Sequence, residues 1–462
     1  MQVKKLKLYQ IVEATCQDIV SEGLGLCHIK ATGYIPLTGF VLGVMPGETF
    51  LAKVTRVKSN HFHGVVLPLE ELPEGELLQE DLDSNEPEWI GKNHNVSQVA
   101  HEKWAIFNPA PERRKPDCEN FTYCGSCKLL HMSYEKTLFF KKNWLTVQLQ
   151  RNHVDPPEIQ VIESPRKINY RNHVQIHINK YEKRGFYAPY SYTTREFPEA
   201  GCLLFDQKSV DQKFPQELKL EKCVRSRIDY LKSTVGIWSL YSKEEKNELF
   251  TYHIEYPPES LTSVTIPNSS FFQTNTSMIP AWLREIQSLI HLSGKSTDKI
   301  HILELFSGFG FISKMVSFSA NIEALGIDIL HPRDLKKIKI SNNTSKKNIP
   351  DLTQLYIQHD LTLLDRISPE NKEKIRTFKP DIIIINPPRS GFIPLQMDFL
   401  FKSILPDYSG NIIYSSCNGA TFARDCVSLQ KHQYHISALT LLDFFPWTSH
   451  YEVLGFFKKK MN

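Results

Sequence analysis

Cys417 and Glu452 are the two side chains around which the rest of this sequence makes chemical sense. Cys417 stands in NIIYSSCNGATFARDC, after an apolar strand and before a stretch of helical character. A helix N-terminus favours the thiolate, the form of cysteine that acts as a nucleophile. Glu452 stands in LLDFFPWTSHYEVLGFF, two residues after His450, where the chain begins its last strand. Such a pair suits one difficult alkylation. Uracil C5 is too weak a nucleophile to take a methyl group unaided, but a thiolate added at C6 turns C5 into an enolate-like carbon that can attack a methyl sulfonium. The C5 proton must then leave, which requires a carboxylate within reach. Taken alone, a free cysteine is by default a small core hydrophobe and a histidine beside a carboxylate a structural partner, so the pair needs supporting motifs.

The first support is HILELFSGFGF, residues 301–311, an apolar strand running into a turn with Gly308 and Gly310 and then a helix. Glycines let a nucleotide approach the backbone, and the helix N-terminus favours a carboxylate such as that of a methionine moiety. Asp328 ends the next strand, where a ribose hydroxyl pair would be held. A second motif, Asn386-Pro-Pro-Arg389, follows the strand DIIII. A proline pair fixes a polar side chain toward a reacting centre. With an aromatic residue in the fourth position the motif would suggest amino-group methylation, and Arg389 leans away from that.

Cys118, Cys124 and Cys127 fall within ten residues, and Cys202 in EAGCLLF is the most plausible fourth thiolate. Four sulfur ligands suit a tetrahedral zinc or a [4Fe-4S] cluster, and spacing alone does not choose between them. Cys16, Cys27, Cys223 and Cys426 read as core thiols.

The elements that must position these residues fall into sections. With 462 residues, 41% hydrophobic and 23% charged, the chain is long enough for two or three globular domains. Residues 1–69 alternate short apolar runs with glycine turns, the pattern of a small β-barrel. Residues 70–105 open with nine acidic residues between Glu70 and Glu88, a composition that suits an acidic linker. A mixed α/β section, 106–266, holds the cysteine cluster, the helical stretch YEKTLFFKKNWLTVQLQRN and strand-like NYRNHVQIHINKYEKRGFYAP. Residues 267–462 alternate strands (IHILELF, IEALGID, DIIIINPP, NIIYSSC, YEVLGFFK) with helices, which implies a doubly wound sheet with ligands at its strand ends.

Net charge is only +4, yet basic residues cluster at Lys4 to Lys7, Arg113 to Lys115, Lys141 and Lys142, Lys336 to Lys339, and Lys458 to Lys460. The clusters suit a polyanion without demanding one, and any one of them taken alone reads first as solvated surface. No stretch approaches the roughly 20 apolar residues of a membrane span, and the N-terminus lacks the apolar core of a signal peptide, so a cytoplasmic protein is expected. Nine cysteines in such a chain point to metal and catalysis rather than disulfides.

Together these residues resemble the RNA uracil-5 methyltransferases, in particular the ribosomal RNA type with an N-terminal TRAM barrel and an iron-sulfur cluster. Gly23-Leu-Gly25 and Met45-Pro-Gly-Glu48 are similar to TRAM landmarks, Tyr170-Arg-Asn172 and Gly185-Phe186 to the central domain, and Phe271-Phe-Gln-Thr-Asn275 to the start of the methyltransferase domain. The resemblance implies a multidomain chain: a TRAM/OB-like barrel, an α/β iron-sulfur-bearing central domain, and an α/β Rossmann-like class I methyltransferase domain. It further implies S-adenosylmethionine held by Gln273, Phe306, Phe311, Asp328, Asp360 and Asn386. The same resemblance gives a [4Fe-4S] cluster on Cys118, Cys124, Cys127 and Cys202, Cys417 on uracil C6, and Glu452 at the departing proton. The family commonly has Asp where Asn386 stands, Glu at Asp328 and Asn at Asp360. The partner implied is a structured RNA, 23S ribosomal RNA by architecture, since the transfer RNA members lack barrel and cluster; a monomer is expected. Two other readings stay open on sequence: an amino-group methyltransferase resting on Asn386-Pro-Pro, and a non-catalytic RNA-binding or assembly factor that keeps the barrel and cluster.

Overall fold

Along His61–Val66 buried Phe62, Gly64 and Val66 alternate with half-exposed His61, His63 and Val65, the two-residue period of a strand with one face on a core. The computed structural model describes residues 6–29, 37–71, 89–90, 100–101, 103–189, 191–216, 218, 223–294, 299–343 and 355–460. In the first unit, strands β1 (Ile11–Val20), β2 (Leu24–Ile29), β3 (Thr38–Leu42), β4 (Thr49–Val57) and β5 (His61–Val66) close a barrel in the order β1-β2-β3-β5-β4, with β4 returning to β1. Buried Glu48 ties the barrel to the segment after it. Its carboxylate accepts two hydrogen bonds from Arg113, each 2.6 Å, and one from the Ala110 amide at 2.9 Å. A two-pronged charge-assisted contact of this kind is among the stronger polar fastenings.

The expected linker lies largely outside the described residues. Its described parts are structured: Trp89–Ile90 pairs parallel to β1, and Glu71 meets Lys53 at 2.7 Å. Lys4 and Lys5 also lie outside the described residues. Lys141, expected on a basic surface, is buried.

The chain divides into two compact units, residues 1–141 with 183–200 and 447–449, and residues 142–182 with 201–446 and 450–462. The hairpin Arg184–Tyr187 and Thr194–Glu196 therefore belongs to the first unit, as do the cysteines of the cluster up to Cys127. Helix α1 (Tyr134–Arg151), expected from its apolar spacing, forms as read.

The second unit is built on a sheet that fixes the site. Strands β6 (Ile159–Ile162), β7 (Ile300–Leu305), β8 (Ile322–Asp328), β9 (Tyr356–Gln358), β10 (Ile382–Ile385), β11 (Asn411–Ser416), β12 (Tyr434–Leu442) and β13 (Glu452–Lys459) pair in the order β9-β8-β7-β10-β11-β13-β12-β6. From β9 to β11 all pairings are parallel, and β13 runs antiparallel between β11 and β12. All five strands anticipated from sequence are present. The four isoleucines of β10 are fully buried, as a central parallel strand covered on both faces requires. Helix α2 (Ile279–Leu292) lays Ile279, Trp282, Leu283, Ile286, Leu289 and Ile290 on that core, at the spacing of one helical face.

Candidate active site

Every strand from β9 to β11 ends at the same edge of the sheet, and the residues singled out by sequence stand there in strand order. Asp360 follows β9, Asp328 ends β8, Phe306 follows β7, Asn386 follows β10, Cys417 follows β11, and Glu452 begins β13. Neighbouring strands are about 4.8 Å apart, so these side chains form one row.

On the donor side of the row, Phe306, Gly308 and Gly310 all have left-handed backbones, with φ of 58°, 55° and 71°. Such a conformation costs a non-glycine residue about 1–3 kcal/mol, and strain of this kind gathers at ligand-binding turns. Asp328 fixes the turn: one carboxylate oxygen accepts from the Gly308 amide at 2.8 Å and the other from the Leu330 amide at 3.1 Å. Space beside Gly308 is open, since a Cβ there would meet nothing within 4 Å. An open, glycine-lined turn beside a half-exposed carboxylate fits the S-adenosylmethionine that the resemblance implies. Asp360 is half-exposed and caps a short helix, accepting from the Thr362 amide at 2.9 Å. Phe311 opens helix α3 (Phe311–Val316) and meets Phe272 edge-on at 5.3 Å; Phe272 in turn stacks on Tyr252 at 4.7 Å. Tyr252 accepts a hydrogen bond from buried Arg227 at 3.0 Å, and the Gln273 carbonyl accepts from Asn172 at 2.9 Å, so the segment bearing Gln273 is held from both sides.

Sequence reading overlooked Glu304. It lies inside β7, buried, and accepts hydrogen bonds from the Ser313 amide (3.1 Å) and hydroxyl, locking helix α3 to the strand below it. Burial pushes its carboxyl up to about 7. An acid amid the apolar run IHILELF was the available signal.

On the acceptor side, β11 and β13 pair Ser415 with Leu454 and Ser416 with Val453. Carried one residue on, this register sets Cys417 opposite Glu452. Glu452 is fully buried and accepts from the Ser415 hydroxyl at 2.8 Å; Ser415 accepts from the Trp282 indole at 3.2 Å. Burial raises Glu452 to about 7, with the Ser415 hydrogen bond pulling the other way. The value is that of a base poised near neutral pH. Ser415 and Trp282 were not singled out by sequence. His450 is exposed and lies 6.0 Å from the Phe445 ring, edge-on.

The expectation of a lowered thiol pKa is corrected. Burial and then the charge of Glu452 push Cys417 up to about 11, against a downward pull from Arg389. Asn418 is the N-cap of helix α4 (Gly419–Lys431), its side chain accepting from the Ala420 amide at 3.1 Å.

Of the four expected thiolates, Cys118, Cys124 and Cys127 belong to the first unit and Cys202 to the second. Cys118, Cys124, Cys127 and Cys202 are partly buried and none is in a disulfide, and among the described residues no group of three or more Cys, His, Asp or Glu side chains gathers to hold a metal ion. Burial, and less strongly the neighbouring Cys124, raise the Cys118 thiol. Cys16, Cys27, Cys223 and Cys426 are buried, as expected of core thiols.

Residues 263–460 match the family model of the tRNA (uracil-5-)-methyltransferases. Over 77% of the chain, an uncharacterized RNA methyltransferase of Leptospira interrogans is 30% identical, with 82% of that relative covered. A 23S rRNA (uracil(1939)-C(5))-methyltransferase of a Marinomonas species, RlmD, is 25% identical over 94% of both chains. The solved structure of a Pyrococcus abyssi tRNA (uracil-54, C5)-methyltransferase with S-adenosyl-L-homocysteine superposes with a TM-score of 0.61, covering 96% of this chain and 99% of that one at 18% identity, which shows a shared fold. With a closed five-stranded barrel before an α/β methyltransferase sheet, and relatives of this kind along most of its length, the chain belongs to the RNA uracil-5 methyltransferase family, S-adenosylmethionine-dependent enzymes that methylate uracil C5 in RNA.

Proposed function

We propose that this enzyme methylates one uridine of 23S ribosomal RNA by covalent catalysis, with Cys417 as nucleophile and Glu452 as the base. The observation that carries the reading is the β11–β13 register, which sets the thiol and a carboxyl poised near neutral pH against each other at the end of the glycine-turn row. S-adenosylmethionine supplies an electrophilic methyl group on sulfur; Gln273, Phe306, Phe311, Asp328, Asp360 and Asn386 would hold it. Cys417 loses its proton to solvent and its sulfur bonds to uracil C6, the C5–C6 π pair moving toward the C4 oxygen. C5 then attacks the methyl carbon, whose bond to the sulfonium sulfur would break with its electron pair left on sulfur as S-adenosylhomocysteine. Glu452 takes the C5 proton, the freed pair restores C5=C6, and the C6–sulfur bond breaks to return the thiolate.

The uridine must leave its stack to reach this edge. The N-terminal barrel, residues 1–69, would bind RNA through its strand face, with residues 106–266 as a central domain and 267–462 carrying the chemistry. The enzyme acts as a monomer in the cytoplasm, where ribosomal RNA is met. Its metal group, in this reading, is a [4Fe-4S] cluster rather than zinc, on Cys118, Cys124, Cys127 and Cys202, supported by thiol spacing and the family resemblance. Anaerobic reconstitution tests it: iron at four per chain with visible thiolate-to-iron absorption is expected, and zinc or no metal overturns it.

An RNA carrying 5-fluorouridine at the target decides the mechanism. Fluorine does not leave C5 as a cation, so a denaturation-resistant enzyme–RNA adduct is expected, and its absence with active enzyme removes the nucleophile assignment. Transfer RNA is the second reading, favoured by a Pyrococcus abyssi tRNA (uracil(54)-C(5))-methyltransferase 23% identical over 85% of the chain. Nucleoside mapping of both RNAs from cells with and without the gene separates the two.

A further inference from the structure

Strands β2, β3, β5 and β4 lie side by side, and their register lines up two rows of side chains across the barrel wall. In the first row Leu26 pairs with Phe40, Phe40 with His63 and His63 with Arg56. In the second, His28 pairs with Thr38 and Thr38 with His61, and the Lys58 amide closes the row on the His61 carbonyl at 2.8 Å. The residues between the rows, Cys27, Gly39 and Phe62, are buried, so by the two-residue period of a strand both rows face outward.

Three rings meet within these rows. Phe40 lies 5.5 Å from His61 and 5.6 Å from His63, and the two imidazoles are 5.2 Å apart. All three are half-exposed. Phe62 supports them from inside: a Cβ on Gly39 would collide with its ring, so β3 rests flat on Phe62 and the position of Phe40 is set from below. A β-bulge in β4 adds a cationic edge. The register shifts between Val54 and Arg56, and this sets Arg56 rather than Thr55 opposite His63. Without the extra residue Arg56 would point into the barrel. Arg56 and Lys58 are both exposed, and no carboxylate stands in either row. Burial, and then the charges of His61, Arg56, Lys128 and Lys58, lower His63 from its ordinary value, which leaves its ring neutral at neutral pH. Flat rings beside cations match an unpaired nucleotide, whose base stacks while its phosphates meet the positive charge.

We propose that this face of the barrel takes one unpaired base of the RNA on Phe40 and His63, with Arg56 and Lys58 against the neighbouring phosphates, so that the substrate is anchored at a nucleotide other than the one methylated. The inference rests on the barrel being an RNA-binding domain, and it narrows that role to one patch of one face.

The test uses the full-length enzyme and a fluorescently labelled oligouridylate of about ten nucleotides that carries 4-thiouridine. After irradiation, mass spectrometry is expected to find the RNA linked to the β3 peptide with Phe40 or the β5 peptide with His63. By fluorescence anisotropy Phe40→Leu should weaken binding about tenfold without changing its salt dependence, and Phe40→Tyr should restore it. Arg56→Gln and Lys58→Gln should instead flatten the slope of log Kd against log salt, each by about 0.7 for a single strand. Binding by Phe40→Leu as tight as that of wild type overturns the proposal, and so does a loss that Phe40→Tyr does not recover; His63→Ala carries the same test if the leucine variant does not fold. Cross-links on other strands of the barrel overturn the patch alone. Failure of the barrel as an RNA-binding domain is separately visible, as a wild-type enzyme with no cross-link anywhere in residues 1–69.

Discussion

Glu452 and Cys417 stand across from each other one step beyond the last paired residues of β11 and β13, the proposed base inside the ladder and the proposed nucleophile just outside it. The two roles separate in time, and substitution should separate them in the product. Cys417→Ala is expected to abolish both methyl transfer and adduct. Glu452→Gln should still form the bond and transfer one methyl per enzyme, then stall, lowering turnover about 10²–10⁴-fold. Single-turnover transfer of labelled methyl, with gel analysis of the covalent complex, checks both; free release of methylated RNA by Glu452→Gln would remove the glutamate from its role.

Ser415 donates a hydrogen bond to the proposed base. Its hydrogen bond favours the ionised carboxyl and opposes burial, so Ser415→Ala should raise the Glu452 value from about 7 and move the acidic limb of the rate profile to higher pH. Steady-state rates measured from acid to mild alkali read this directly. An unmoved limb would mean that another group limits the rate.

Two buried glutamates shape stability with pH. Glu304 and Glu452 keep their protons in the fold up to about 7, whereas the unfolded chain releases them in the ordinary glutamate range. The folded state thus binds more protons in that window, and their contribution to stability is full below the unfolded value and lost as pH rises through about 7. Thermal midpoints should fall over this interval in wild type and fall less in Glu304→Gln. A midpoint in wild type that rises throughout would contradict the assignment.

The turn before helix α3 should separate cofactor affinity from folding. Gly308→Ala puts a side chain at φ of 55° into open space, at a backbone cost of about 1–2 kcal/mol with no clash inside the protein. Weaker S-adenosylmethionine binding by calorimetry with a cooperative unfolding transition is expected. Unchanged affinity would place the cofactor elsewhere.

Strand identities were legible because hydrophobic runs such as DIIIINPP and NIIYSSC carry their own ends, and those ends deliver Asn386 and Cys417 to the sheet edge. Pairing was not. Nothing local in YEVLGFFK says that it inserts antiparallel between β11 and β12, and that pairing is what brings Glu452 to Cys417. The thiol's electrostatics were misjudged for the same reason: a helix start is visible in CNGATF, while the burial and the opposing carboxyl come from a strand 35 residues downstream (452 − 417). Ser415 and Trp282 are ordinary residues in their own segments, and only packing makes them partners.

Because the donor-side and acceptor-side residues sit on successive rungs of one hydrogen-bonded ladder, their separations are whole multiples of a strand spacing and owe nothing to connector length. Relatives can therefore lengthen or shorten the excursions after β8 and β10 without changing how far a methyl group must travel. A single-residue deletion inside β13, by contrast, would turn the carboxyl to the opposite face, along with the strand's buried apolar side chains, and take the proposed base away from the thiol.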